Sequence, residues 1–106
     1  MQLQAYAFVL LKSGYAASRF SEEELQRLQG AHLGHLAAMA EVGKLVAAGP
    51  FSDQPDLTWR GFCLYSCPVD EARELAESDP SVQAGRLVVE VMTWSTPAGS
   101  VTFNQA

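Results

Sequence analysis

Five side chains in this sequence have types and spacing that bear on chemistry: His32, His35, Cys63, Cys67 and Asp79. An imidazole is the side chain best suited to take up and return a proton near neutral pH, and the chain holds only two. Three residues apart, they could begin a metal site, but no third ligand stands nearby to complete a zinc coordination set, so no metal is expected. The two cysteines are the only ones present. Both fall in an expected strand, where four residues cover roughly 13 Å. Bridged Cα atoms sit within about 7 Å, so these two do not pair while that strand is intact. They read as small buried hydrophobes. Asp79 precedes Pro80, which reads as a helix N-cap with proline in the first helical position. There is no phosphate loop, no paired CxxC and no HExxH. No Ser, Thr or Tyr lies in a nucleophile signature.

The elements that must position these groups follow from periodicity and punctuation. Residues 3–11 read as a strand with Leu3, Ala5, Ala7, Val9 and Leu11 on one face and Tyr6, Phe8 and Leu10 on the other. Ser21 with Glu24 three residues on forms a capping box, opening a helix that runs to Glu41 or Val42 and stops at Gly43. On a wheel of about 100° per residue, Leu25, Leu28, His32, Leu36 and Met39 form one apolar stripe. His32 is thus an imidazole where the pattern asks for leucine. Burying it costs stability unless its nitrogens find partners. Two readings stand: a core histidine satisfied by hydrogen bonds, or a catalytic or binding group. A leucine at position 32 would complete the stripe and leave the fold intact or firmer. His35 lies at the stripe's edge and reads as a surface histidine.

Residues 44–50 read as a second strand, ended by Gly49-Pro50. Residues 51–59 form the longest loop, and Arg60 to Cys67 a third strand. Pro68 opens a second helix with Val69, Ala72, Leu75 and Ala76 on its buried face. A helical turn follows at Pro80 to Gly85, then a fourth strand from Arg86 to Trp94. The last ten residues, 97–106, are small and polar and read as a loose tail or short arm.

With 106 residues, 48% of them hydrophobic and 18% charged, the chain has the composition of one globular domain. Its net charge is −5, and its seven Lys and Arg residues are scattered. Nucleic-acid backbones need a clustered basic patch, and an acidic surface suits anionic membranes poorly. No apolar run approaches a membrane span. The first residues lack the basic start and small-residue cleavage site of a signal peptide. The expectation is a cytoplasmic protein that binds neither nucleic acid nor membrane.

The order β-α-β-β-α-β is the ferredoxin-like, split βαβ pattern: a four-stranded antiparallel sheet with both helices on one face. Its free face should be polar. Here Val88, Met92 and Trp94 make the last strand apolar on that side too, as Tyr6 and Phe8 do on the first. A large bare apolar face is rare on a soluble monomer, so a second copy of the sheet is expected to cover it, giving a homodimer or a higher oligomer.

The stretch Ala31-His32-Leu33, followed by Gly43-Lys44-Leu45-Val46-Ala47-Ala48-Gly49-Pro50, resembles the YCII-related family. So does Ala76-Glu77-Ser78-Asp79-Pro80-Ser81-Val82-Gln83-Ala84-Gly85. The match runs along nearly the whole chain, with a domain at 1–96 and the tail at 97–106 outside it. The resemblance implies an α+β, ferredoxin-like fold assembled as a dimeric α+β barrel. It also implies that His32 and Asp79 form an active-site pair. A carboxylate bonded to one imidazole nitrogen fixes the tautomer and raises the basicity of the other. Gly49, Pro50, Phe51 and Ser52, where the first matching stretch runs into the long loop, are the candidate substrate-binding residues. Many family members carry Arg-Pro before the Ala-His-Leu, where this chain has Gln29-Gly30.

Two functions fit. One is a cofactor-independent lyase or isomerase acting on a small cyclic or aromatic compound, with His32 as general acid and base and Asp79 orienting it. The other is a non-catalytic, ligand-binding or accessory dimer in which the pair is structural. A catalytic His32 must reach a pocket; a structural one would be sealed.

Overall fold

The sheet is built around β1 (Leu3–Ser13), an eleven-residue strand whose two neighbours pair with it antiparallel. The structure, a computed structural model, describes residues 1–103. The other elements are α1 (Glu22–Glu41), β2 (Leu45–Pro50), β3 (Trp59–Tyr65), α2 (Val69–Glu77), α3 (Pro80–Gln83) and β4 (Leu87–Pro97). The strands lie in the order β2-β3-β1-β4, all antiparallel. With helices between β1 and β2 and between β3 and β4, this is the ferredoxin-like α+β arrangement.

The core lies between the sheet and the helices. Ala7, Val9 and Leu11 of β1, Cys63 and Tyr65 of β3 and Leu87 of β4 meet Ala72 and Ala76 of α2 there. The alternation is the pleat's period of two. It puts Tyr6, Phe8, Leu10, Leu64, Val88, Met92 and Trp94 on the opposite face. On that face Phe8 stacks on Phe62 with ring centroids 4.9 Å apart. Val88, Met92 and Trp94 stay 39%, 45% and 40% exposed.

Helix α1 begins as its sequence dictates. The Ser21 side chain accepts from the Glu24 amide and the Glu24 carboxylate accepts from the Ser21 amide. These bonds, the Ser21 amide first, hold the Glu24 carboxyl below its ordinary range. Unlike a core helix, α1 buries no residue fully. Leu25, Leu28, His32, Leu36 and Met39 are all half-buried. The stripe faces inward as expected, but only Leu36 and Met39 join the core. Farther toward its N-terminus, the helix stands over a cavity.

Two expectations change, and the choice between a loose tail and a short arm is decided. Strand β3 stops at Tyr65, and the Ser66 amide donates to the Lys44 carbonyl as the chain turns into α2. Cys67 therefore lies beyond the strand, and the extended-spacing argument does not apply to it. Both thiols are free. The C-terminal segment is not loose as far as residue 103. The Ala98 amide donates to the Gln2 carbonyl, and Phe103 packs edge-on to Tyr6 at 5.3 Å. The rest of the expected tail, residues 104–106, lies outside the described residues. Tyr6, flanked by Trp94 and Phe103, is itself only 6% exposed.

Candidate active site

Asp79 is held by its own local sequence. Pro80 cannot continue α2, and the chain restarts as α3 with Asp79 as N-cap, its Oδ1 accepting from the Ser81 amide at 2.9 Å. That fixes the carboxyl group against α1 and leaves Oδ2 free to reach across. The contact it makes is with an imidazole of α1: His32 Nδ1 stands 2.5 Å from Asp79 Oδ2. The His32 side chain is 12% exposed and that of Asp79 4%. Both Asp79 oxygens therefore have partners, as a buried carboxylate requires. A carboxylate only accepts, so Nδ1 carries the proton and donates, leaving Nε2 as the basic nitrogen. Ser81, buried beside the pair, brings its hydroxyl to 3.4 Å from the Leu28 carbonyl and ties α3 to α1.

This pairing sets a cost against the expectation that leucine at position 32 would be neutral or stabilising. It would complete the stripe, but it would also strand Asp79 Oδ2 without its partner. His35 is likewise not a surface histidine. It is half-buried, and its Nε2 is shut off from solvent with no hydrogen-bond partner among the described residues.

His32 lies on the wall of a cavity of about 610 Å³ between α1 and the sheet. Leu25, Gln29 and Leu36 share its helix wall, and Leu11, Cys63 and Leu87 line its sheet side. This volume lies within the range of small-molecule sites. Of the candidate substrate-binding residues, Gly49 and Pro50 form part of the rim, whereas Phe51 and Ser52 are outside the lining. Phe51 packs instead against Trp59 and Phe62. Gly61 shapes the rim, because a Cβ there would lie 2.4 Å from the Gly49 carbonyl oxygen. Sequence reasoning did not single out Arg60 and Arg86, which also line the cavity. The only signal pointing to either was Gln29 in place of an arginine. Arg86 Nη1 now lies 3.4 Å from Gln29 Oε1.

The Cys63 thiol is no nucleophile here. Burial, reinforced by the nearby Asp79 carboxylate, pushes its pKa up to about 12. Burial likewise raises the Tyr65 hydroxyl. No group of three or more His, Cys, Asp or Glu side chains able to hold a metal ion occurs among the described residues. No helix among them is long and apolar enough to cross a membrane.

Comparison with known proteins points to a family and to a fold. A family model described as YCII-related domain matches residues 7–95. Among solved structures, the chain is similar to 5-chloro-2-hydroxyhydroquinone dehydrochlorinase from Burkholderia phenoliruptrix AC1100, solved with 2,5-dihydroxybenzoquinone. That similarity has a TM-score of 0.57 at 22% identity and covers 83% of this chain and 92% of the other. At that identity it speaks for the fold. No curated protein matches.

Proposed function

The chain belongs to the YCII-related family, and from that premise we propose that it is a cofactor-independent enzyme of lyase or isomerase type. Its substrate is a small cyclic or aromatic compound. His32 Nε2 takes a proton from the substrate and returns one, while Asp79 holds the ring in the required tautomer. The observation that carries this reading is the 2.5 Å contact between His32 and Asp79 at the wall of a cavity. A histidine needed only for stability would be sealed away from such a space.

The geometry suits general acid–base chemistry. A positioned base contributes about 10²–10⁴-fold to rate, and the carboxylate fixes which nitrogen is free. Elimination and isomerisation next to an activated carbon require little beyond that base. The structurally similar dehydrochlorinase removes hydrogen chloride from a chlorinated hydroxyhydroquinone, a reaction of the same elementary kind, and so supplies the first compound class to assay.

The test is turnover of hydroxylated and halogenated hydroquinones, followed by absorbance and halide release. His32→Gln should abolish activity, and Asp79→Asn should lower kcat by about 10–100-fold. Full activity in His32→Gln would refute the assignment. Binding of such compounds without any conversion would instead favour the non-catalytic, ligand-binding reading.

The proposal extends to assembly. The half-exposed Val88, Met92 and Trp94 make an apolar face on the side of the sheet away from the helices, and a second copy covers it in a dimeric α+β barrel. Sedimentation should give about twice the 11.5 kDa chain mass. A monomer at micromolar concentration would refute the dimer.

A further inference from the structure

The charges around the cavity are the reverse of those on the protein as a whole. The chain carries twelve Asp and Glu against seven Lys and Arg. None of the acidic residues lines the cavity, but two of the arginines, Arg60 and Arg86, do. Asp79 belongs to the layer behind His32 and is committed to that imidazole and to the Ser81 amide.

Neither guanidinium has a carboxylate within salt-bridge distance among the described residues. Lys12 and Lys44, by contrast, are paired with Glu90 and Glu71. Arg86 is half-buried, and its backbone is clamped: its amide donates to the Ser81 carbonyl and its carbonyl accepts from the Gly14 amide. The clamp is tight, since a Cβ on Gly14 would lie 2.3 Å from the Gly85 carbonyl oxygen.

From that fixed base the side chain extends along α1. Its Nη1 makes two long contacts, 3.5 Å to the Leu25 carbonyl and 3.4 Å to Gln29 Oε1. A guanidinium has five N–H donors, so among the described residues most of its capacity is unused. Gln29 lies one helical turn before His32, about 4.5 Å along the axis. Arg86 thus presents a cationic fork held against α1 one turn from His32, in the same cavity that His32 and Arg60 line.

We propose that the cavity selects an anion, a small cyclic compound carrying a planar oxyanion (a carboxylate or an ionised enol or phenol), with Arg86 as its principal anchor and Arg60 as a second. The proposal rests on the reading of His32 and Asp79 as the proton-transfer pair. The two guanidiniums do for the ligand what the imidazole cannot. They hold its negative charge in place and stabilise further charge as a proton is removed. An arginine fork fits a planar oxyanion in two-point fashion, so lysine would be an imperfect replacement.

The experiment is calorimetric titration of the full chain at pH 8 with benzoate, 4-nitrophenolate and neutral benzamide. At least one of the two anions should bind ten times more tightly than benzamide or better, and the preferred anion tells carboxylate from phenolate. Arg86→Gln should weaken that anion at least tenfold, Arg86→Lys by less, and Arg60→Gln by about threefold. Should Arg86→Gln not fold, the Arg86→Lys and Arg60→Gln losses carry the test. His32→Gln should keep binding within about threefold. Equal binding of anions and benzamide, no binding of either anion, or binding indifferent to both arginines would overturn the proposal. If anion binding depends on Arg86 but no compound is turned over, the acid–base reading fails and the anion site stands. His32-dependent turnover with binding indifferent to both arginines means the reverse.

Discussion

Replacing His32 by leucine separates the helix pattern from the pair, and the two give opposite signs. Periodicity alone favours leucine, which gains roughly 1 kcal/mol by filling a half-buried apolar stripe. The structure sets against this the loss of Nδ1 as partner to Asp79 Oδ2, a carboxylate 4% exposed. Removing one partner of a buried pair costs about 3–5 kcal/mol. The net expectation for His32→Leu is therefore a loss of about 2–4 kcal/mol. Asp79→Asn keeps an acceptor for the Ser81 amide and should cost only about 1 kcal/mol, since Asn caps nearly as well as Asp. In the double variant there is no charge left to strand, so the leucine should then cost almost nothing. The cycle should show a coupling of about 2 kcal/mol. Urea denaturation at pH 7 measures all four corners, and melting temperatures should move by about 4–8 °C for each kcal/mol. Additivity of the two substitutions within about 0.5 kcal/mol, or a leucine variant more stable than the parent, would refute this account.

Thiol titration should find two free thiols per chain after denaturation, while in the native state buried Cys63 resists alkylation and Cys67 reacts. Because burial raises the Cys63 pKa from 9.0 to about 12, its contribution is complete below pH 9 and is lost as pH climbs toward 12. Stability should fall by up to about 1.4 kcal/mol per pH unit across that window, and Cys63→Ala should flatten the slope in pH-dependent urea melts. Gly61→Ala places a Cβ against the backbone of β2, 2.4 Å from the Gly49 carbonyl oxygen. It should lower the melting temperature by at least 8 °C and disturb the cavity rim formed by Gly49 and Pro50. An unchanged melt would contradict the close approach.

Much of the fold was legible along the chain because its signals are local. The capping box at Ser21 and Glu24, Gly43 after α1, and Asp79-Pro80 between α2 and α3 each act within a few residues, where backbone sterics and hydrogen bonding decide the outcome. Strand alternation likewise placed Val9 and Tyr6 on opposite faces. The end of β3 was not legible: Arg60 to Cys67 read as one strand with no breaker before Pro68, whereas the chain leaves the sheet after Tyr65 and bends at Ser66 toward α2. The candidate site divides the same way. An imidazole out of place in an apolar stripe marked His32 without any coordinates. That its partner is Asp79, 47 residues away, came from resemblance and could not come from spacing, because no local rule relates two helices joined through two strands. Arg60, Arg86 and the stand-off of α1 from the sheet were decided by tertiary structure alone. A cavity is space enclosed by elements distant in sequence, and an arginine at its wall looks in the sequence like any solvated charge.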